Sequence, residues 1–291
     1  MVEWLTEPWQ YEFMQRALVA GLLVSIAGAV VGAFVVVKSL AFMSDAVAHS
    51  SLAGAAVAFV IGGGSVAISI GAVIAAVATA VGVSGLTRTA RLREDTAIGL
   101  LFAAFFGFAI LLISRSRSYA LDLHSFIVGN ILGVTTEDLY LMAVLTAIVL
   151  VLTLVFYREL LFTSYDPVMA AASGVPVALV QMGLLTLVAL AAVIAFRLVG
   201  VVLVMAMLVA PAATAGLMVR RMPLIMLLGS IVGVISTFAG LYASFHADVA
   251  AGPAIVMAAI VAFVVVYLVS GRGLALPRRM VGMVRAGAPA G

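Results

Sequence analysis

Residues 179–196 read LVQMGLLTLVALAAVIAF, a run of eighteen residues without a charged side chain. A helix needs about 20 mostly apolar residues to cross the hydrocarbon core of a membrane. Eight further stretches share this character, near 16–37, 44–62, 65–85, 96–114, 139–157, 199–218, 224–243 and 253–269. The sequence therefore predicts an all-α polytopic membrane protein, a bundle of about eight to nine transmembrane helices.

The composition supports the same class. Of the 291 residues, 66% are hydrophobic and only 9% are charged, whereas a soluble domain carries about 25% charged residues. The chain has no cysteine, which excludes disulfides and thiolate metal sites. The net charge of +3 is small and scattered, so nucleic acid is not an expected partner. We expect one transmembrane domain over residues 1–291.

Clusters of arginine predict which side of the membrane each loop faces, because cytoplasmic loops are enriched in positive charge. The clusters lie at 88–93, 220–221 and 272–285. With three spans before Arg88, residues 1–12 are then extracytoplasmic and Lys38 is cytoplasmic. The basic tail 271–291 is predicted to be cytoplasmic as well.

Two ionisable residues, Asp45 and His49, lie in the second apolar stretch. A spacing of four places both side chains on one helix face. Ionisable groups at membrane depth are costly and usually face a bundle interior or a water-filled path. A carboxylate with an imidazole can bind a divalent transition metal. A proton relay and a hydrogen-bonded packing pair remain equally open from the residues alone.

Residues 158–178 form a long polar interruption that is predicted to be cytoplasmic. Asp166 can cap a short helix with Pro167 at its first position, and Gly174 can end that helix. The pattern predicts a short helix followed by re-entry into the membrane. It fits a docking element for a cytoplasmic partner, and it also fits an ordinary amphipathic connector.

Two further segments carry polar or short apolar patterns. Residues 123–133 are apolar but too short to cross, which favours a re-entrant or interfacial segment. His246 and Asp248 are expected together in an outer loop, where they could attract cations at an entrance. A solvated polar loop explains these two residues as well.

The sequence argues against two enzyme classes, P-loop ATPases and intramembrane serine proteases. It contains no P-loop motif and a single lysine, Lys38, so any ATP hydrolysis must come from a separate subunit. The run Gly82-Val83-Ser84-Gly85 matches a short motif of intramembrane serine proteases. Its Ser84 is predicted at the cytoplasmic side and His246 at the opposite side, too far apart for a nucleophile and its base.

Several segments in unchanged order, over roughly residues 13–270, together resemble one family. They are Asp45-Ala46-Val47-Ala48-His49-Ser50-Ser51-Leu52-Ala53-Gly54, Glu94-Asp95-Thr96-Ala97-Ile98-Gly99, Gly129-Asn130-Ile131-Leu132-Gly133, Asp166-Pro167 with Gly174-Val175-Pro176, and Ala210-Pro211-Ala212-Ala213-Thr214-Ala215. The chain resembles the permease subunits of bacterial ABC importers for manganese, zinc and iron.

That resemblance implies a multi-pass protein of the bacterial plasma membrane with a fold like type II ABC importers, including short coupling and re-entrant helices. It implies that Asp45 and His49 bind the transported metal, manganese or zinc with iron as a third candidate. It assigns coupling to the ATPase to Glu159, Asp166, Pro167 and Gly174. The implied partners are a second permease subunit in a homodimer, a cytoplasmic ATPase dimer that uses ATP, and an extracytoplasmic metal-binding protein. No permanently bound cofactor is expected.

Two other transport functions stay open beside this one. A permease for a metal chelate would need a wide, largely apolar path, and Asp45 with His49 argues against it. An ion channel or proton-coupled cation carrier would use Asp45 and His49 as a relay. Uptake by such a carrier would survive loss of an ATPase.

Overall fold

The computed structural model describes residues 7–90, 92–114, 131–200 and 204–270. Two short 3-10 turns occur in these ranges, Glu7–Gln10 and Ile131–Gly133. The α-helices of the described ranges are α1 (Glu12–Val37), α2 (Ala41–Val60), α3 (Ser65–Thr89), α4 (Glu94–Ile113), α5 (Thr136–Val155), α6 (Tyr157–Tyr165), α7 (Pro167–Ala172), α8 (Val177–Val199), α9 (Val204–Met218), α10 (Met222–Ala247) and α11 (Ala251–Val269).

Eight of these helices, α1 to α5, α8, α10 and α11, are long and apolar enough to cross a membrane. The predicted bundle of about eight to nine spans is thereby confirmed. The stretch predicted at 199–218 corresponds to α9, which has 15 residues. The described helix, Val204–Met218, accounts for about 22 Å at 1.5 Å per residue, and residues 201–203 before it lie outside the described ranges.

Some predicted segments fall outside the described residues. Only Ile131–Gly133 of the expected re-entrant segment 123–133 is described, and it forms a 3-10 turn. The basic tail 271–291 lies outside the described ranges, as do residues 1–6 of the N-terminal segment.

The bundle is built around α1, α2 and α8. Helix α1 packs against α10, α9, α8 and α5, whereas α2 packs mainly against α3 and α4. Helix α8 contacts α1, α2 and α3 and so joins the two groups. Of the most apolar part of α1 and of α2, 67% is buried, compared with 17% for α4. Ionisable residues on α2 therefore belong to an inner helix, and α4 lies at the periphery of the chain.

Small residues allow the inner helices to approach closely. A Cβ atom placed on Gly54 of α2 would overlap the carbonyl oxygen of Gly71 on α3, and one placed on Gly71 would overlap the carbonyl oxygen of Gly54. Gly32 of α1 meets the carbonyl oxygen of Leu208 on α9 in the same way. Contacts of this kind replace the hydrophobic effect as the packing force between helices in lipid.

The connection between α5 and α8 contains two short helices rather than one. The Asp166 carboxylate accepts a hydrogen bond from the Met169 N–H at 2.9 Å, and Pro167 is the first residue of α7. Gly174 has φ of 84° and ends this turn, so the predicted cap and glycine stop are confirmed. Helix α6 was not predicted. Its nine residues are polar overall, and only Leu160 and Thr163 are buried.

Candidate functional site

Asp45 and His49 lie one turn apart on α2, as their spacing predicts. The Nδ1 atom of His49 lies 2.9 Å from the backbone oxygen of Asp45. Because a carbonyl oxygen can only accept, Nδ1 carries the proton in this hydrogen bond. An imidazole that is protonated at Nδ1 alone presents its lone pair at Nε2, and this tautomer binds a metal through Nε2.

The carboxylate of Asp45 is not engaged by the ring. Its Oδ1 atom lies 3.6 Å from Nδ1 of His49, which is too long for a hydrogen bond. The side chain of Asp45 is 35% exposed and that of His49 is 15% exposed. The pair therefore offers a carboxylate and a ring nitrogen that remain available to a bound cation.

Two phenylalanines of α4 fix the orientation of the imidazole. The ring centroids of Phe102 and Phe106 lie 4.9 and 5.0 Å from that of His49, both in edge-to-face geometry. The two phenyl rings stack on each other at 5.7 Å. Sequence reasoning did not identify these residues. Their spacing of four indicates a shared helix face, but it does not indicate that this face meets His49.

No third His, Cys, Asp or Glu side chain of the described residues joins this pair. Within residues 7–90, 92–114, 131–200 and 204–270 there is no group of three or more His, Cys, Asp or Glu side chains that could hold a metal ion. Divalent ions such as Mn²⁺ prefer more than two donors. A complete metal site would therefore need donors besides Asp45 and His49.

His246 lies in a helix, and its predicted placement in a loop is wrong. Helix α10 extends to Ala247, and Nδ1 of His246 contacts the backbone oxygen of Tyr242 at 3.0 Å. The chain turns only at Asp248, where φ is 51°. The apolar and aromatic run before His246 continues the helical hydrogen bonding through that residue.

His246 also belongs to a different part of the bundle from Ser84 and from the Asp45/His49 pair. Helix α10 packs mainly against α1, α9 and α11, whereas α3 packs against α2, α4 and α8. Ser84 of α3 is buried. The packing supports the sequence argument against a serine protease, and it keeps His246 and Asp248 apart from the Asp45/His49 pair.

The residues assigned to coupling lie on α6, α7 and the turn that follows. Glu159 of α6 has one carboxylate oxygen, Oε2, that is buried without a hydrogen-bond partner among the described residues. Glu159 borders a cavity of about 460 Å³ between α5, α6 and α8. On α7, Val168 and Met169 are 78% and 58% exposed. Helix α7 therefore presents apolar side chains that nothing in the described chain covers.

Comparison with known proteins places the chain in a family. The model of the ABC 3 transport family matches residues 10–270. The manganese transport system membrane protein MntC of Halalkalibacterium halodurans is 40% identical over 268 residues, which cover 92% of this chain and 91% of that protein. The manganese import system permease protein ScaB of Streptococcus parasanguinis is 32% identical over 261 residues, covering 90% and 92%.

The fold has a counterpart among solved structures. The structure of PsaBC from Streptococcus pneumoniae in complex with Fab superposes with a TM-score of 0.81 at 32% identity, covering 91% of this chain and 95% of that chain. The eight apolar helices and the family match together describe a multi-pass protein of the plasma membrane. The chain belongs to the ABC 3 transport family and is the membrane permease of an ABC transport system.

Proposed function

We propose that this permease imports divalent metal ions, with manganese as the favoured substrate, and that Asp45 and His49 bind the ion in transit. The observation that carries the proposal is the geometry of the pair, in which a carboxylate and the Nε2 face of an oriented imidazole remain available. Oxygen and nitrogen donors suit manganese, zinc and iron alike. The names of two relatives, which refer to manganese, favour that metal.

The small number of donors suits a transit site. An ion that must pass through a protein has to bind well enough to enter and weakly enough to leave. The chain has no cysteine, whose thiolates would hold zinc tightly. In a homodimer, a second copy would bring its own Asp45 and His49 to a shared site.

Energy for import comes from a separate cytoplasmic ATPase dimer in this proposal, because the chain has no P-loop. Residues 158–178 form the coupling segment, and exposed Val168 and Met169 would enter a pocket on the ATPase. The cap formed by Asp166 with Pro167 and the turn at Gly174 would fix the angle of α7. Glu159, with its buried Oε2 atom, would hold α6 in place.

The remaining assignments concern the two faces of the membrane. An extracytoplasmic metal-binding protein would deliver the ion to the face that carries His246 and Asp248, near residues 7–12. The tail 271–291 would lie on the cytoplasmic face with the coupling segment. This arrangement follows from the distribution of arginine in the loops.

Uptake of manganese by cells tests the site assignment. Asp45→Ala and His49→Ala should each reduce uptake strongly, because each removes one of the two donors. The exposed acidic residue Glu137 at the start of α5 supplies the control variant Glu137→Ala, which should retain uptake. Co-purification of the ATPase reports whether each variant assembles. Normal uptake in both site variants would show that Asp45 and His49 do not bind the transported ion.

A further inference from the structure

A chain of hydrogen bonds connects three helices at the end of the bundle where α1 stops. The ammonium group of Lys38 donates to Oε1 of Gln181. The amide nitrogen of Gln181 donates in turn to a carboxylate oxygen of Glu94 at 2.8 Å. All three residues are half-buried. Gln181 therefore sits between a cation and an anion and uses both ends of its amide.

Each of the three residues belongs to a different structural element. Lys38 belongs to the link between α1 and α2, in which Ser39 has φ of 57°, and α2 carries Asp45 and His49. Glu94 is the first residue of α4, which carries the two phenyl rings against His49. Gln181 lies in the second turn of α8, the helix that follows α7 and Gly174.

Both hydrogen bonds of Gln181 have a charged partner, Lys38 on one side and Glu94 on the other, in half-buried surroundings. Hydrogen bonds to charged groups are stronger than those between neutral groups, and more so where water is partly excluded. A displacement of α8 would therefore pull on both Lys38 and Glu94.

We propose that Gln181 is a positioning residue that transmits movement of the coupling segment to the Asp45/His49 site through Lys38 and Glu94. The inference rests on the proposed function, in which an ATPase moves α7. When α8 shifts, Gln181 moves the start of α4 and the link before α2 together. The carboxylate, the imidazole and the phenyl rings around it then change their relative positions.

A charge exchange tests this chain of bonds in the complete transporter. Permease, ATPase and binding protein are reconstituted in vesicles, and Mn²⁺ delivered per ATP hydrolysed is measured. Gln181→Glu places a second carboxylate against Glu94 and should lower this ratio at least about fivefold. Combining Gln181→Glu with Glu94→Gln gives every bond a donor and an acceptor again, although the second bond is reversed: the amide introduced at position 94 donates to the carboxylate introduced at position 181. The ratio should therefore return to within about twofold of wild type.

Gln15 supplies the matched control, because its amide donates to the backbone oxygen of Trp9 at the opposite end of α1. Gln15→Glu should leave the ratio unchanged. If Gln181→Glu does not assemble, Gln181→Leu replaces it, since leucine removes both bonds without adding charge. The expected result for Gln181→Leu is the same loss of Mn²⁺ per ATP.

The outcomes separate this inference from the proposed function. Variants of Gln181 that lower thermal stability but keep the wild-type ratio would show that the bonds only hold the fold together, and the inference would be wrong. A double variant that stays uncoupled would overturn it too. Wild-type vesicles that deliver no Mn²⁺ would overturn the proposed function as well as this inference.

Discussion

His49 is oriented from two sides, by its own helix and by α4. The hydrogen bond from Nδ1 to the backbone of Asp45 sets the tautomer, and the phenyl rings of Phe102 and Phe106 limit rotation of the ring. A metal ligand with a fixed orientation loses less entropy on binding than one that rotates freely. In the proposed function, these contacts would therefore adjust how tightly the Asp45/His49 site holds its ion.

Removal of the phenyl rings should weaken the site without removing a ligand. An aromatic pair contributes about 0.5–1.5 kcal/mol beyond its buried area, which corresponds to a loss of about twofold to tenfold in Mn²⁺ affinity for Phe102→Ala or Phe106→Ala. Binding of Mn²⁺ to the purified complex measures this. Phe108→Ala on the exposed face of α4 is the control. Equal Mn²⁺ affinities in all three variants would show that the two phenyl rings do not influence the site.

The sequence specified part of this site and not the rest. Asp45 and His49 could be paired because their spacing within a single helix determines a shared face. Phe102, Phe106 and Gln181 could not be assigned, because their roles depend on which helices become neighbours. Hydrophobic periodicity does not encode that choice when nearly every residue of a span is apolar.

The contact between helices α2 and α3 depends on Gly54 and Gly71. Each glycine accommodates the backbone of the other helix. Gly54 is also the last residue of the motif that contains Asp45 and His49. The motif thus combines the two proposed ligands with the packing contact between their helix and α3.

A methyl group at this contact should destabilise the bundle. Gly54→Ala forces α2 and α3 apart, and overpacking of this kind costs about 1–3 kcal/mol. The midpoint of thermal unfolding in detergent should fall. Gly107→Ala on α4 adds the same methyl group in open space and should leave the midpoint unchanged or raise it. A Gly54→Ala midpoint equal to that of Gly107→Ala would contradict the close approach.

A second prediction about these elements concerns Gly174, in the turn after α7. Gly174 adopts φ of 84° with open space around it, so Gly174→Ala adds only conformational strain, about 1–2 kcal/mol. We expect α7 to lose its angle and the rate of ATP hydrolysis stimulated by the binding protein to fall. Gly183→Ala on α8 also meets open space and should keep normal stimulation. Normal stimulation in both variants would mean that this turn does not serve coupling.

The two short helices differ in how well the sequence predicts them. Helix α7 was predictable because Asp166, Pro167 and Gly174 act through local rules of capping and φ. Helix α6 was not, because its stability comes from Leu160 and Thr163 packing into the bundle. Helix α9 was predictable as apolar, because the stretch 199–218 contains no charged residue.

The whole molecule places the proposed site and the coupling segment on connected parts of one bundle. Helix α8 contacts α1, α2 and α3, and it follows directly after α7. An ATPase that moves α7 would therefore act on helices that surround Asp45 and His49. The fold class and the number of spans followed from composition and span length, because lipid requires apolar helices of a minimum length.

In the proposed function, the chain carries manganese through the Asp45/His49 site at the expense of ATP. The most direct measurement is uptake of radioactive manganese into vesicles that contain the complete transporter, with and without ATP. We predict uptake that requires ATP in the wild type and that falls to the background level in Asp45→Ala and His49→Ala. Uptake that continues without ATP, or at the wild-type rate in both variants, would show that the chain does not carry manganese in this way.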